Sequence, residues 1–509
     1  MTTAQRQQTA LLAATFVIAV CGLIYELLAG TLSSYLMGNS IYQFSLVIGL
    51  FMSAMGLGAW ASRFIENELP QNFVRLQLLV GLLGGLISPI LFFAFAVIDN
   101  YTPLLVFLTL LLGAMLGIEI PLIIRILKDH FSLKTNLSNV FTADYIGALI
   151  AALLFPLVLI PQLGILQTGF VFGLINIGVG ILALYVLREN ISNKKGLWGL
   201  AALITAILIT GLVLSSPFTN RMEKRLYQDQ IIYSKDTQYQ RLVLTKRHER
   251  LRFYINGALQ FDSFDEYRYH ESLVHPALAA LPQAENVLIL GGGDGLAVKQ
   301  LLKYASIKAI TLIDLDPEVT NLFKNNKQLK ALNNNSLENN KVTIHNTDAW
   351  KFLEHDQQLY DVIIIDLPDP NSPSLSRLYT TSFYKLVKQH LSQQGVIVTQ
   401  ATSPFYTKDA FWSIVATLKD SDNNEDWYTL PYHTYIPSFG EWGFVMAARH
   451  QLKPSTLLLN TDNKYLDQDT LRQSFIFPKD MEATDVEINQ LSSHQLLQYY
   501  DQGWKHWYQ

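Results

Sequence analysis

Long apolar stretches alternate with short polar ones through the first 215 residues. Seven stretches are long enough to cross the hydrocarbon core of a bilayer, at about 9–29, 43–62, 74–98, 103–126, 142–160, 165–187 and 197–215. Six more spans follow the first, and no small-residue cleavage site stands out, so we interpret the first as a span and not as a signal peptide. The pattern predicts an all-α transmembrane bundle of about seven helices over 1–215, then a linker over 216–227.

A different pattern begins at residue 228. Alternating segments such as "YQRLVLTK" and "LRFYINGALQF" predict a small antiparallel β subdomain over 228–280. From residue 281 to 480, strands and helices alternate, which predicts a Rossmann-like, doubly wound α/β domain. Its strands include "NVLIL", "AITLIDLD", "KVTIHN", "YDVIIID" and "GVIVTQ", and "WYTLPYHTYI" with "WGFVMAA" is expected as an antiparallel edge hairpin. Residues 481–509 are expected as a C-terminal tail.

Charge separates the two parts. Residues 1–215 carry 9 Lys or Arg and 8 Asp or Glu, whereas the remaining residues carry 29 and 34. An acidic soluble domain suits a cationic substrate and argues against nucleic acid, whose binding proteins are usually basic. The single cysteine, Cys21, excludes an intrachain disulfide and a multi-cysteine zinc site.

The charges around the spans give conflicting indications of topology. All the Lys and Arg residues of the first 215 fall on the side of the N-terminus, which the positive-inside rule places in the cytoplasm. Seven spans would then place the soluble domain outside, but Arg221, Lys224 and Arg225 after the last span favour the cytoplasm.

Three acidic residues, Glu26, Glu119 and Asp144, lie within or near the spans. Acids at membrane depth are costly and often functional. They leave open a transport role, beside the simpler interpretation that each is buried next to a polar neighbour or lies at the interface.

A glycine turn follows the first strand of the α/β domain. Its glycines are Gly291, Gly292, Gly293 and Gly295. Asp314 ends the next strand, where a carboxylate can accept both hydroxyls of a ribose. Asp348 follows the third strand and could contact an adenine amino group. Together they predict a nucleoside site of the S-adenosylmethionine-binding type; the alternatives are a surface turn for Asp314 and a helix cap for Asp348.

Asp294 within the turn changes the expected ligand. In a methyltransferase this turn receives the carboxylate of the methionine moiety, which Asp294 would repel. Asp294 would instead attract an ammonium group. The residue therefore favours a decarboxylated ligand that ends in an amine.

Two further acids follow a buried strand in "DVIIIDLPDPNSP". Asp366 and Asp369 are spaced i, i+3 among three prolines, which restrict the backbone and would keep both carboxylates in place. A single aspartate at a strand end is more often a helix cap or turn former than a base, so this pair gains meaning only from its surroundings.

Several motifs together resemble the spermidine synthase (polyamine aminopropyltransferase) family, in particular its membrane-bound bacterial members with an N-terminal multi-span domain. The motifs lie within about residues 225–480: "YQRLVL", "INGALQFDSFDEYRYHESLVHPAL", "LILGGGDG", "LIDLDPEV", "NTDAWKFL" and "DLPDPNSP". Departures include Asp314 where the family usually has glutamate, and His270 where some members have glutamine. The departure at His270 leaves the identity of the amine acceptor undetermined.

The resemblance implies a role for each matching residue. Gln240 and Gln260 would hold the methylthio-ribose side, Asp294 the aminopropyl ammonium, Asp314 the ribose and Asp348 the adenine. Tyr269 and His270 would lie beside the amine, Asp366 would be the catalytic acid assisted by Tyr269, and Asp369 would hold the far end of a diamine.

The reaction implied is transfer of an aminopropyl group from decarboxylated S-adenosylmethionine to putrescine, giving spermidine and methylthioadenosine. The sulfonium is a good leaving group, so no cofactor or metal is expected. The resemblance also implies a multi-pass protein of the bacterial inner membrane, with its catalytic domain in the cytoplasm and a homodimeric or higher assembly. A small-molecule methyltransferase and a membrane polyamine transporter or sensor are the alternatives.

Overall fold

The computed structural model describes residues 3–37, 40–98, 100–128, 133–227, 229–420 and 427–508. The chain divides into two compact units, Met1–Ile231 and Ile232–Gln509. The first is all helical, and the second contains both sheets apart from the start of the first strand.

Seven long helices make up the described part of the first unit. They are α1 (Thr3–Met37), α2 (Ser40–Ala61), α3 (Leu69–Val97), α4 (Thr102–Leu127), α5 (Leu133–Leu154), α6 (Ile160–Val186) and α7 (Lys194–Tyr227). By length and composition, the described residues contain six candidate membrane spans, because α5 and α6 fall in one 50-residue stretch, Leu137–Val186.

That stretch folds back on itself at Gly164, whose φ of 75° and ψ of 175° interrupt the helix. Gly147 of α5 packs against Phe16 of α1, and Phe172 of α6 accepts a hydrogen bond from Tyr25 of α1 at 3.0 Å. Residues 147 and 172 would lie roughly 37 Å apart in a straight helix, whereas their partners on α1 are roughly 14 Å apart. The chain therefore reverses between them, and each of the seven predicted spans corresponds to one helix.

Small residues bring the helices of this bundle close together. Side chains added at Gly58 and Gly117 would collide with the backbones of Ala114 and Met55, so α2 and α4 approach at glycine positions, as membrane helices commonly do. Residues 216–227, which the sequence predicted as a linker, are helical, because α7 continues to Tyr227.

The three acids predicted within or near the spans differ in their surroundings. Glu119 is fully buried and accepts a 2.8 Å hydrogen bond from Gln77, whose own side chain accepts one of 3.1 Å from Asn176. Glu119 thus has the polar partner that the simpler interpretation expected. Glu26 is 9% exposed, and Asp144 lies partly exposed on α5.

The predicted small antiparallel sheet is confirmed. Its strands, in the order β1-β2-β3-β4, are β1 (Gln230–Asp236), β2 (Arg241–Arg247), β3 (Arg250–Ile255) and β4 (Ala258–Asp262). β3 and β4 are joined by a tight turn at Asn256 and Gly257, both with positive φ, as a two-residue hairpin requires.

A seven-stranded sheet forms the centre of the α/β domain, as predicted. Its strands are β5 (Asn286–Gly291), β6 (Ala309–Asp314), β7 (Val342–Asn346), β8 (Tyr360–Asp366), β9 (Leu391–Gln400), β10 (Tyr428–Ile436) and β11 (Gly440–Ala448). They lie in the order β10-β11-β9-β8-β5-β6-β7; β5 to β9 run parallel, and β10 and β11 form the expected antiparallel edge hairpin.

Ten helices accompany the sheets in the described part of the second unit. They are α8 (Glu266–Ala280), α9 (Leu296–Leu301), α10 (Pro317–Asn325), α11 (Lys327–Leu332), α12 (Ala349–His355), α13 (Pro373–Ser376), α14 (Thr381–Gln389), α15 (Lys408–Asp420), α16 (Gln468–Gln473) and α17 (Gln495–Tyr508).

The central strands determine where a site can form. Residues 287–290 of β5 and 362–365 of β8 are fully buried, as expected for strands covered on both faces. β5 pairs with β6 on one side and β8 on the other, so the strand order reverses there and leaves a crevice at the carboxyl ends. Gly291, Asp314 and Asp366 end these three strands.

Candidate active site

The glycine turn lets two backbones approach closely. Gly291, Gly292 and Gly295 have φ values of 89°, 65° and 78°, which residues with side chains rarely adopt. A methyl group at Gly291 would collide with the carbonyl oxygen of Asp366, its register partner on β8. The glycines therefore place Asp366 directly beside the turn.

Asp314 is held by the same turn. Its carboxylate accepts hydrogen bonds of 2.9 Å from the backbone N–H groups of Gly293 and Asp316. A side chain at Gly293 would collide with the carboxylate. Burial raises the pKa of Asp314 to about 6, although the two backbone hydrogen bonds oppose that shift.

Asp294 lies within the turn, where its Oδ1 accepts a 2.8 Å hydrogen bond from the backbone N–H of Leu296. Burial raises the pKa of Asp294 to about 6; nearby His270 opposes this shift and Asp366 adds to it. The charge states of Asp294, Asp366 and His270 therefore affect one another.

His270 belongs to an ion-pair chain that the sequence analysis missed. Its Nδ1 lies 3.0 Å from Glu266 Oε2, and Lys299 Nζ lies 2.8 Å from Glu266 Oε1. Burial alone would lower the pKa of His270, but the Glu266 hydrogen bond and the Asp294 charge outweigh it and raise the pKa to about 9. His270 is therefore a cation at neutral pH. The signal for Glu266 was its i, i+4 spacing from His270.

Tyr269 and Asp366 are in direct contact. The Tyr269 hydroxyl donates a 2.6 Å hydrogen bond to Asp366 Oδ1. Burial raises the pKa of Asp366, while the His270 charge and this hydrogen bond counteract the shift. Burial and the Asp366 charge raise the pKa of Tyr269 well above its usual value, so the phenol stays a neutral donor.

Asp369 is surrounded by neutral donors. Oδ2 accepts hydrogen bonds from the Tyr500 hydroxyl at 3.0 Å and from Thr402 at 3.4 Å, and Oδ1 accepts one from Gln400 at 3.4 Å. Burial raises the pKa of Asp369 to about 6 despite these three bonds. The sequence analysis missed all three donors. Because β9 lies beside β8, its last residue, Gln400, and Thr402 just beyond it could have been expected near Asp369.

The remaining predicted residues make local contacts. Asp348 caps α12 through a 3.1 Å hydrogen bond from the Lys351 backbone and forms an ion pair with Arg377, as the helix-cap alternative anticipated. The turn that contains Gln240 is tied to Asp316 through a 2.8 Å hydrogen bond from Thr237. Gln260 on β4 donates to the backbone of Ala258 at 3.1 Å. Their roles toward a nucleoside stay predictions.

Comparison with known proteins identifies the family to which the α/β domain is similar. Residues 266–457 match the Spermine/spermidine synthase domain family. The chain is 44% identical, over 98% of its length and 99% of the relative's, to polyamine aminopropyltransferase of Leptospira interrogans serogroup Icterohaemorrhagiae serovar copenhageni (strain Fiocruz L1-130). It is 43% identical, over 98% of its length and 99% of the relative's, to polyamine aminopropyltransferase 2 of Ralstonia nicotianae (strain ATCC BAA-1114 / GMI1000).

The chain belongs to the polyamine aminopropyltransferase family. These relatives align along nearly the whole chain, so the family resemblance includes the apolar helices as well as the α/β domain. Among solved structures, spermidine synthase from Thermotoga maritima is similar with a TM-score of 0.44 and 24% identity, over 49% of this chain and 87% of that one. Family membership makes the chain an enzyme of the aminopropyltransferase class and sets aside the methyltransferase alternative.

Proposed function

We propose that this enzyme transfers the aminopropyl group of decarboxylated S-adenosylmethionine to putrescine, which gives spermidine and methylthioadenosine. The observation that carries the proposal is the row of acids along the carboxyl edge of the sheet. Asp294 lies within the glycine turn, Asp314 is bound to it, Asp366 lies beside it, and Asp369 follows Asp366 three residues later. Such a row suits a cationic nucleoside at one end and a diamine at the other.

The nucleoside would lie against the glycine turn. Asp314 would accept the ribose hydroxyls, Asp348 would contact the adenine, and Gln240 and Gln260 would support the methylthio-ribose side. Asp294 would pair with the aminopropyl ammonium, in the place where a methionine carboxylate would be repelled.

The chemical step requires an unprotonated amine. An alkylammonium has a pKa of about 10.4, so putrescine arrives protonated and one end must give up a proton before it can react. The Asp366 carboxylate accepts that proton, assisted by the Tyr269 hydroxyl at 2.6 Å. The amine lone pair then attacks the carbon bonded to sulfur, the carbon–sulfur bond breaks, and its electrons leave with neutral methylthioadenosine. Asp369 holds the distal ammonium and so aligns the attack.

One assay tests this proposal. Purified full-length protein, given decarboxylated S-adenosylmethionine and putrescine, should release methylthioadenosine, and Asp366→Asn should nearly abolish release. Asp361→Asn is the matched control, since Asp361 is the second residue of the same strand and accepts hydrogen bonds from the backbone of Glu285 and Asn286 at the opposite edge of the sheet. Absence of turnover with every diamine and polyamine would refute the proposal.

The apolar helices are long enough to place the protein in a membrane, and we propose an inner-membrane enzyme whose α/β domain faces the cytoplasm. Basic residues 221, 224 and 225 support that side, whereas seven crossings from a cytoplasmic N-terminus oppose it. The only cysteine, Cys21, is buried, so a cysteine at exposed Glu482 can be labelled selectively. A membrane-impermeant maleimide should label Glu482→Cys in inverted vesicles but not in spheroplasts; the reverse result would place the domain outside.

We also propose that the enzyme is a homodimer or a higher homo-oligomer, as the resemblance to its family implies. Mass measurement of the detergent-solubilised protein tests this. A monomer at all concentrations used for the assay would contradict it.

A further inference from the structure

The segment expected as a C-terminal tail ends in a helix that packs onto the α/β domain. One face of α17 presents Leu496, Tyr500, Trp504 and Trp507 at helical spacing. Leu496 is fully buried, Trp504 stacks on Tyr406 with ring centroids 5.2 Å apart, and Trp507 lies 5.0 Å from Phe405. This face makes α17 part of the domain.

The contact is closest at Gly503. A methyl group there would lie 2.8 Å from both Thr407 Cα and the Tyr406 carbonyl oxygen. Because these are backbone atoms, no side chain fits between α17 and the residues that precede α15. The approach fixes the position of α17 against the segment that leads into α15.

Tyr500 faces the site from this helix. Its hydroxyl donates to Oδ2 of Asp369 at 3.0 Å, and this is the shortest of the three side-chain hydrogen bonds described for that carboxylate. The other two donors are Gln400, the last residue of β9, and Thr402, two residues beyond it. Asp369 is thus held between the sheet and the C-terminal helix.

We propose that α17 closes the amine end of the active site and that Tyr500 is a positioning residue, which holds the Asp369 carboxylate toward the distal ammonium of the diamine. The inference rests on the proposed function and adds to the site a residue that lies 131 positions after Asp369. Tyr500 acts through Asp369 and takes no part in the proton transfer at Asp366. Its loss should therefore affect diamine binding and leave the chemical step intact.

The hydrogen bond also bears on the charge of Asp369. Burial raises the pKa of Asp369, and the Tyr500 bond is the largest influence that lowers it again. The titratable groups that face Asp369 from the surrounding elements are the phenols of Tyr500, Tyr379 and Tyr269, all of which have pKa values well above the usual range and stay neutral. Without the Tyr500 hydroxyl, Asp369 should take up its proton at a higher pH.

The test compares Tyr500→Phe with Tyr499→Phe in the full-length enzyme. Both remove one hydroxyl from the same helix, but the Tyr499 hydroxyl accepts a hydrogen bond from the Glu487 backbone, away from Asp369. Tyr500→Phe should raise the KM for putrescine about tenfold, as expected for one hydrogen bond to a charged group, with kcat within about twofold of wild type. Tyr499→Phe should change neither. The acidic limb of the kcat/KM profile for putrescine should move to higher pH only in Tyr500→Phe.

Butylamine provides a second readout, because it has the reacting amine but no distal ammonium. Tyr500→Phe should reduce the preference for putrescine over butylamine, measured as the ratio of their kcat/KM values, by about tenfold. An unchanged putrescine KM, or equal losses for both amines together with a lower melting temperature, would overturn the positioning role. If wild type itself releases no methylthioadenosine with any amine, the proposed function fails, which is a different outcome.

Discussion

The hydroxyl of Tyr269 lies 2.6 Å from Oδ1 of Asp366 and joins the first turn of α8 to the carboxyl end of β8. The two residues are 97 positions apart in the chain, yet they form the one direct side-chain contact described for Asp366. Burial raises both pKa values, which keeps the Tyr269 phenol neutral and increases the basicity of the Asp366 carboxylate.

Tyr269→Phe should therefore slow the chemical step. Asp366 would lose a hydrogen bond that favours its charged form, and the proton acceptor would be less well oriented. We expect kcat to fall by about 10- to 100-fold with a small change in the KM for decarboxylated S-adenosylmethionine. Tyr267→Phe is the control on the same helix, since the Tyr267 ring packs under Lys464 at 3.9 Å. Equal kcat values for the two variants would contradict the role of Tyr269.

Two glycines of the turn should respond differently to alanine. At Gly293 the new methyl group would displace the Asp314 side chain. Gly293→Ala should therefore raise the KM for decarboxylated S-adenosylmethionine and change the melting temperature little. At Gly291 the methyl group would meet the Asp366 backbone, and the φ of 89° adds strain, so Gly291→Ala should lower the melting temperature as well.

The control for both variants is Gly257→Ala in the β3–β4 turn. Its φ is 83°, but a methyl group there meets open space. This variant should lose about 1 kcal/mol of stability and keep the wild-type KM values for decarboxylated S-adenosylmethionine and putrescine. Nucleoside binding by Gly293→Ala that matches wild type in calorimetry would show that Asp314 is not the ribose acceptor.

Much of the site could be predicted because parallel strands converge at one edge of the sheet. Once β5, β6 and β8 were recognised by their apolar runs, Gly291, Asp314 and Asp366 had to lie close together. The seven helices could be predicted for a related reason, since length and hydropathy suffice to recognise a span. The polar interruption between the fifth and sixth stretches coincides with the reversal at Gly164.

The missed residues depend on packing that no local pattern records. Tyr500 reaches Asp369 only because α17 packs against α15, whereas the sequence analysis expected this segment as a tail. Glu266 could not be distinguished from the other acids of its segment by sequence. It is part of the site because it is buried and pairs with both His270 and Lys299. Asp348 shows the opposite case, because the local helix-cap interpretation describes its contacts.

Titration of His270 should make the stability of the folded protein depend on pH. Its pKa of about 9 in the folded protein exceeds the usual 6.5, so its contribution is fully present below pH 6.5 and is lost as the pH rises through 9. The loss should reach roughly 3 kcal/mol at most. The melting temperature of wild type in detergent should fall across this window, and that of His270→Gln should fall less.

His275 on the same helix is the control for this measurement. Burial, with the nearby Lys303 charge, lowers the pKa of His275 to about 3, so His275 stays neutral throughout the window. His275→Gln should therefore keep the wild-type slope of melting temperature against pH. If His270→Gln also keeps it, then His270 is not the titrating group.

Gly503 provides a test of the C-terminal helix in which no site residue is substituted. Alanine at this position would press its methyl group against the backbone of Tyr406 and Thr407, which cannot yield as a side chain would, so α17 must move outward. That movement lengthens the contact between Tyr500 and Asp369, and we expect the putrescine KM to rise about as much as in Tyr500→Phe, with a lower melting temperature. Gln502→Ala, at the exposed neighbouring position, should behave as wild type. A Gly503→Ala enzyme with a lower melting temperature but an unchanged putrescine KM would show that the amine end of the site does not depend on the placement of α17.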